Sequence, residues 1–89
     1  MSESGIHVQN LSWEECESAL TRFEVVMIPI GAAQKEHGRH LPLNNDETMA
    51  KTLAERVTAR SPVLTTAPIS YGYYPAFTEY PGSVTLREE

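Results

Sequence analysis

Polar and apolar positions change their rhythm several times along the chain, and each change marks an element. Met1 to Val8 is polar and interrupted by Gly5, which predicts a loose tail over residues 1–10 and structure beginning near Ser12. Ser12 and Glu15 have capping-box spacing, and Trp13, Cys16, Leu20 and Phe23 recur at roughly helical intervals, so a helix is expected over about Ser12 to Thr21. Val25 to Ile30 is a continuous apolar run rich in β-branched residues, suited to a strand covered on both faces and ended by Pro29 and Gly31. A second helix is expected from an Asx cap at Asn45 or Asp46 to about Arg60. Met49, Leu53, Ala54 and Val57 lie on one of its faces and Lys51, Glu55 and Arg60 on the other. Pro62 disfavours helical geometry in the residue before it. Val63 to Ile69 reads as a second strand, Tyr71 to Pro81 as a loop dense in aromatics, Pro and Gly, and Ser83 to Leu86 as the start of a further short strand.

The order helix, strand, helix, strand defines an α/β chain built on a parallel-sheet βαβ unit. With 89 residues, one core is the most to expect, so residues 1–89 read as a single domain. A parallel sheet of two or three strands normally needs cover on both faces. The domain is therefore expected to be partial: a fragment, a truncated product, or one part of an assembly.

Composition narrows the partners. Apolar residues make up 40% and charged residues 21%, well inside the globular range. The formal net charge of −5 provides no basic stripe for nucleic acid or an anionic membrane, which leaves small molecules or proteins. A lone cysteine, Cys16, cannot form an internal disulfide, and no signal peptide is legible, so a cytoplasmic location is expected.

Candidate chemistry gathers in Lys35 to Asp46, KEHGRHLPLNND, which holds Glu36, His37, His40 and Asp46. The stretch lies between the carboxyl end of the first strand and the second helix, where open α/β sheets place their ligand groups. Imidazole and carboxylate suit zinc, manganese or iron, and a cation with open positions lowers the pKa of water into the neutral range. On composition alone the histidines serve equally as solvated surface and Asp46 as a helix cap. The tyrosines at 71, 73, 74 and 80 serve equally as cover for a core.

Several blocks of sequence resemble one family. Ile28-Pro29-Ile30-Gly31, then Glu36-His37-Gly38-Arg39-His40-Leu41-Pro42-Leu43 and Asp46, look like the creatininase (creatinine amidohydrolase) pattern. That pattern is an apolar strand ending in Pro-x-Gly, a Glu, His-Gly-x-His-Leu-Pro, and an Asp. Pro68 to Gly72 resembles the family's Tyr-Gly loop, and Tyr80 to Leu86 its Phe-Pro-Gly-Thr segment. The resemblance implies a three-layer α/β/α domain, usually hexameric, that hydrolyses a C–N bond of a small cyclic or linear amide with two divalent metals bridged by an Asp. By position it makes Asp46 the bridging ligand, His37 a ligand of one metal and Glu36 a ligand of the other. His40 becomes an orienting residue behind the ligands, and Tyr71 and Gly72 become substrate-binding residues.

The chain also departs from that pattern. Glu36 directly precedes His37, whereas Glu-x-His is the commoner spacing, and Lys35 occupies the usual Glu column. Because adjacent side chains of an extended segment point apart, the extra residue is expected to form a bulge that returns Glu36 to the metal side and sends Lys35 outward; the alternative is that Lys35 faces the site and replaces one metal's charge, leaving a one-metal or metal-free centre. The family's later Asn-Gly-His segment, with the remaining ligands and a general base, is expected beyond Leu86 and is not in this sequence. The alternative to an enzyme is an inactive truncated product that oligomerises or binds a partner.

Overall fold

The computed structural model of the chain describes residues 4–77 and 79–87. Its centre is a three-stranded parallel sheet in the order β1-β3-β2, formed by β1 (Ile6–His7), β2 (Val25–Met27) and β3 (Val63–Thr65). Ile6 is opposite Leu64 and His7 opposite Thr65 on one side, while Val25, Val26 and Met27 face Val63, Leu64 and Thr65 on the other. Having a neighbour on each edge, β3 is the buried strand, and Leu64 and Thr65 are fully enclosed. The parallel α/β architecture is the one expected from the order of elements.

Of the loose tail expected over residues 1–10, residues 1–3 lie outside the described residues, and the rest is more ordered than expected. Ile6–His7 forms an edge strand, and Val8–Asn10 a 3-10 turn leads on from it. Gly5 makes the approach possible, since a Cβ there would sit 2.3 Å from the Val63 carbonyl oxygen. Its N–H donates to the Thr58 carbonyl at 2.6 Å.

Helix α1 (Trp13–Arg22) starts where its cap dictates. The Glu15 N–H donates to Ser12 Oγ at 3.2 Å, and the Ser12 N–H donates to Glu15 Oε1 at 2.9 Å, the reciprocal pair of a capping box. Ala19 is the buried residue of this helix, whereas Trp13 is 74% exposed.

Helix α2 (Asn45–Arg60) begins after Asn44, whose side chain makes no capping bond. The Asx cap expected at Asn45 or Asp46 is thus corrected, because both lie inside the first turn. An orphan donor of that turn is satisfied from outside: the Glu47 N–H donates to the Ala32 carbonyl at 3.1 Å. Relieved of capping, the Asp46 side chain is free for other work, and its charge favours the positive end of the helix. Ala54 and Thr58 are the residues α2 buries. Met49, Leu53 and Val57, expected on the packed face, remain exposed.

Strand β2 is shorter than the apolar run predicts, and its faces are open, with Val25 at 53% and Val26 at 49% exposure. Pairing resumes beyond Pro29 as a parallel bridge between Ile30 and Ile69. Ser83 to Leu86 forms no strand; the Val84 N–H donates to Gln34 O and the Leu86 N–H to Gly72 O. The radius of gyration, 15.9 Å, exceeds the roughly 12 Å of a compact chain of this length, in keeping with so few buried side chains. Among the described residues no helix is long and apolar enough to cross a membrane.

Candidate metal centre

The site is assembled at the carboxyl ends of β2 and β3. After β2 the chain runs beside the segment that follows β3: Gly31 N–H donates to Ile69 O at 3.0 Å and Ala33 N–H to Ser70 O at 3.0 Å. It then turns back on itself, with the Lys35 N–H donating to Leu43 O at 3.1 Å, and enters α2. These backbone bonds bring His37 beside the first turn of α2. His37 Nε2 lies 3.4 Å from Asp46 Oδ2, with the imidazole 13% and the carboxylate side chain 39% exposed.

That contact lacks the alignment of a hydrogen bond, and His37 Nε2 is buried with no hydrogen-bond partner. A buried ring nitrogen without a partner is costly and calls for an explanation. A shared divalent cation supplies one, since a neutral imidazole lone pair and a carboxylate oxygen side by side are donors that zinc, manganese and iron all accept. The pair therefore fits a metal.

The other residues of the motif are placed differently. The Glu36 N–H donates to Ser83 Oγ at 3.0 Å, and its carboxylate accepts the Gly38 N–H. That closes a turn in which Gly38 has a φ of +79°, a conformation glycine adopts without strain. Among the described residues no three His, Cys, Asp or Glu side chains converge as a metal-holding group, so Glu36 is not brought to His37 and Asp46. His40 is exposed and makes no hydrogen bond to His37 or Asp46.

An open cavity of about 440 Å³ lies against Asp46, and Tyr71 and Gly72 both line it. So does Lys35, contrary to the expectation that it faces outward, and its ammonium rests 4.1 Å from the centroid of the Phe77 ring. Tyr74 lines the cavity too; its hydroxyl is buried without a partner, while its N–H donates to Thr85 Oγ1 at 2.8 Å.

Ser70, another lining residue, donates its hydroxyl to Glu47 Oε2, tying the loop after β3 to the first turn of α2. The Ser70 bond holds the Glu47 carboxyl below its ordinary range, opposed by partial desolvation and assisted by Lys51, whose Nζ is 3.4 Å from Glu47 Oε1. Glu47 carries no motif signal in sequence, Ser70 stands in the Pro68 to Gly72 block only as a neighbour of Tyr71, and Tyr74 is one of four tyrosines that the sequence does not tell apart. Lys35 does carry a signal: residues i and i+2 of an extended segment share a face, which groups Lys35 with His37 and sets Glu36 opposite.

Fold and site together define an α/β protein with a histidine–carboxylate pair at the carboxyl end of a parallel sheet. A family model described as creatinine amidohydrolase matches residues 9–89, and the chain belongs to the creatininase family. It is 34% identical over 74 residues to the creatinine amidohydrolase of Pseudomonas putida, a match covering 82% of this chain and 28% of that protein. A tryptophan-to-alanine mutant creatininase superposes with a TM-score of 0.69 at 27% identity, covering 93% of this chain and 34% of that one. A structure described as creatininase Mn superposes with a TM-score of 0.66 at 26% identity, covering 94% and 35%. Further matched creatininases are described as Zn-Zn type and as complexed with creatine. The chain thus spans about a third or less of the length of these relatives.

Proposed function

We propose that this chain contributes the metal-binding end of an amidohydrolase site that cleaves a C–N bond of a small cyclic or linear amide. The observation that carries the proposal is the buried, unpartnered His37 Nε2 lying 3.4 Å from Asp46 Oδ2. A divalent cation bound there would polarise an amide carbonyl and make water a better nucleophile near neutral pH. His37 offers its Nε2 lone pair, and Asp46 offers a carboxylate fixed by the first turn of α2. Tyr71 and Gly72 line the space beside Asp46, where the substrate would sit. Relatives described as Mn and Zn-Zn forms, and one complexed with creatine, support both the cation and the substrate class.

The test is titration of Mn²⁺ and Zn²⁺ by calorimetry into the wild-type chain, His37→Ala and Asp46→Asn. Each substitution should weaken binding at least about tenfold, as loss of a ligand or of its support does. Equal affinity in all three proteins would overturn the site.

The open edge of β2 supports a second role, as an oligomerising or partner-binding module. Val25, Val26 and Ile28 are all about half exposed there, and a free strand edge presents unpaired backbone donors and acceptors. Sedimentation should show self-association that rises with concentration. A clean monomer at high concentration would exclude a homo-oligomer.

A further inference from the structure

We infer that Ser83 and Thr85 are positioning residues: through them residues 82–86 clasp the loop that presents His37 to the loop that presents Tyr71 and Gly72, so that a cation at His37 and Asp46 orders the second loop. The last clause rests on the metal reading of His37 and Asp46; the clasp itself does not.

The segment divides its hydrogen bonds between the two loops in chain order. Its first half holds the histidine loop: Gln34 Nε2 donates to Gly82 O at 3.3 Å, the Glu36 N–H to Ser83 Oγ at 3.0 Å, and the Val84 N–H to Gln34 O at 2.9 Å. Its second half holds the tyrosine loop: the Tyr74 N–H donates to Thr85 Oγ1 at 2.8 Å, and the Leu86 N–H to Gly72 O at 2.8 Å. The Thr85 hydroxyl also has one hydrogen to give, placed to reach Gly72 O or Leu86 O, each at 3.2 Å.

Both ends of the segment bear on the site. Glu36 adjoins His37 in the chain, so fixing the Glu36 N–H limits where the imidazole can stand. Gly72 and Tyr74 both line the cavity beside Asp46, and the Tyr74 ring packs on Gly72, where a Cβ would meet its Cε1 at 3.3 Å. The two loops are joined at their base by the Ala33 N–H bond to Ser70 O, and residues 82–86 bridge them beyond it. Coupling between two sites needs such a physical connection, whose state both sites bias. By linkage, whatever a cation does to the tyrosine loop, an occupant of that loop does to cation affinity.

The experiment reads amide hydrogen exchange residue by residue by NMR in the 89-residue chain, with and without Zn²⁺. Without metal, Thr85→Val removes the acceptor of the Tyr74 N–H and should speed exchange at Glu36, on the other loop, about fivefold, the scale of one hydrogen bond. Ser83→Ala should do the converse, at Tyr74 and Leu86. Thr85→Ser and Ser83→Thr, which keep the hydroxyls, should restore the wild-type rates, and circular dichroism establishes that each variant folds. With Zn²⁺, wild type should gain protection at Tyr74 and Leu86, and Ser83→Ala should lose that gain while still binding the ion. Effects confined to the loop that each substitution touches would overturn the clasp. Bound Zn²⁺ that leaves Tyr74 unprotected in wild type, or protects it equally in Ser83→Ala, would overturn the coupling and leave the His37–Asp46 site standing. If wild type binds no Zn²⁺, the metal reading and the coupling fall together, and the metal-free comparison alone decides the clasp.

Discussion

Gly31 and Asp46 are packed so closely that a Cβ on Gly31 would lie 2.3 Å from the Asp46 carbonyl oxygen. The glycine is there for space, because its φ is not positive. This contact sets how near the end of β2 approaches the start of α2, and hence where the Asp46 carboxylate meets His37. Gly31→Ala forces the two backbones apart, an overpacking change that should cost about 1–3 kcal/mol. Urea denaturation should show the loss, and metal affinity should fall with it. An alanine variant with unchanged stability and affinity would mean that the approach is not fixed by this contact.

The Ser70–Glu47 bond ties the loop carrying Tyr71 and Gly72 to the helix carrying Asp46. Because the bond lowers the Glu47 pKa in the folded state, the ionised carboxylate contributes stability above the ordinary carboxylate range. That contribution is lost as pH falls through the lowered folded value. Ser70→Ala should raise the Glu47 pKa toward that of an unfolded carboxylate, read by carbonyl-carbon NMR titration. The acid limb of stability should then lose part of its slope. An unmoved Glu47 titration would show that Lys51 alone holds the charge.

Legibility in the sequence followed the physics of each segment. Ser12 and Glu15 announced α1 because capping is local chemistry, read from spacing alone. Pro62 likewise marked the end of α2. Strand β1 was illegible because Ile6 and His7 show no periodicity; what makes them a strand is the room Gly5 leaves against Val63, which is tertiary. The Asx cap misled because Ala32 supplies the acceptor for Glu47 from a distant segment. His37 and Asp46 were legible as a pair through the motif. The turn that holds Glu36 was not, since it depends on the Gly38 N–H and on a hydrogen bond to the Ser83 hydroxyl, 47 positions away.

The capping box of α1 offers a local stability test. Ser12→Ala removes the acceptor of the Glu15 N–H and should cost about 1 kcal/mol. Glu15, whose carboxyl is held below its ordinary range first by the Ser12 backbone N–H and then by the Ser12 side chain, keeps the first contact in the variant, because alanine retains the backbone N–H, and loses only the second. The sign follows: this stabilisation is present above the ordinary carboxylate range and disappears as pH falls through the lowered Glu15 value. The difference between Ser12→Ala and wild type should therefore narrow in acid. A difference that is constant with pH would show that the Ser12 hydroxyl does not act on the Glu15 carboxyl.

The core offers a sharper test in Thr58 and Thr65, whose hydroxyl oxygens are 2.6 Å apart across the α2–β3 contact. Thr58 Oγ1 also donates to the Ala54 carbonyl at 2.6 Å, and a hydroxyl has a single hydrogen to give. Thr65 must then be the donor and Thr58 the acceptor. Thr58→Val leaves the fully buried Thr65 hydroxyl with no partner and should cost about 1–3 kcal/mol, the penalty of an unsatisfied buried donor. Thr65→Val leaves Thr58 still bonded to Ala54 and should cost less. With both replaced, neither hydroxyl is stranded, so the double variant should be less destabilised than the sum of the singles, with a coupling of about 1 kcal/mol in a double-mutant cycle. Equal single costs with strict additivity would mean that the two hydroxyls do not depend on each other, and the donor assignment would fail.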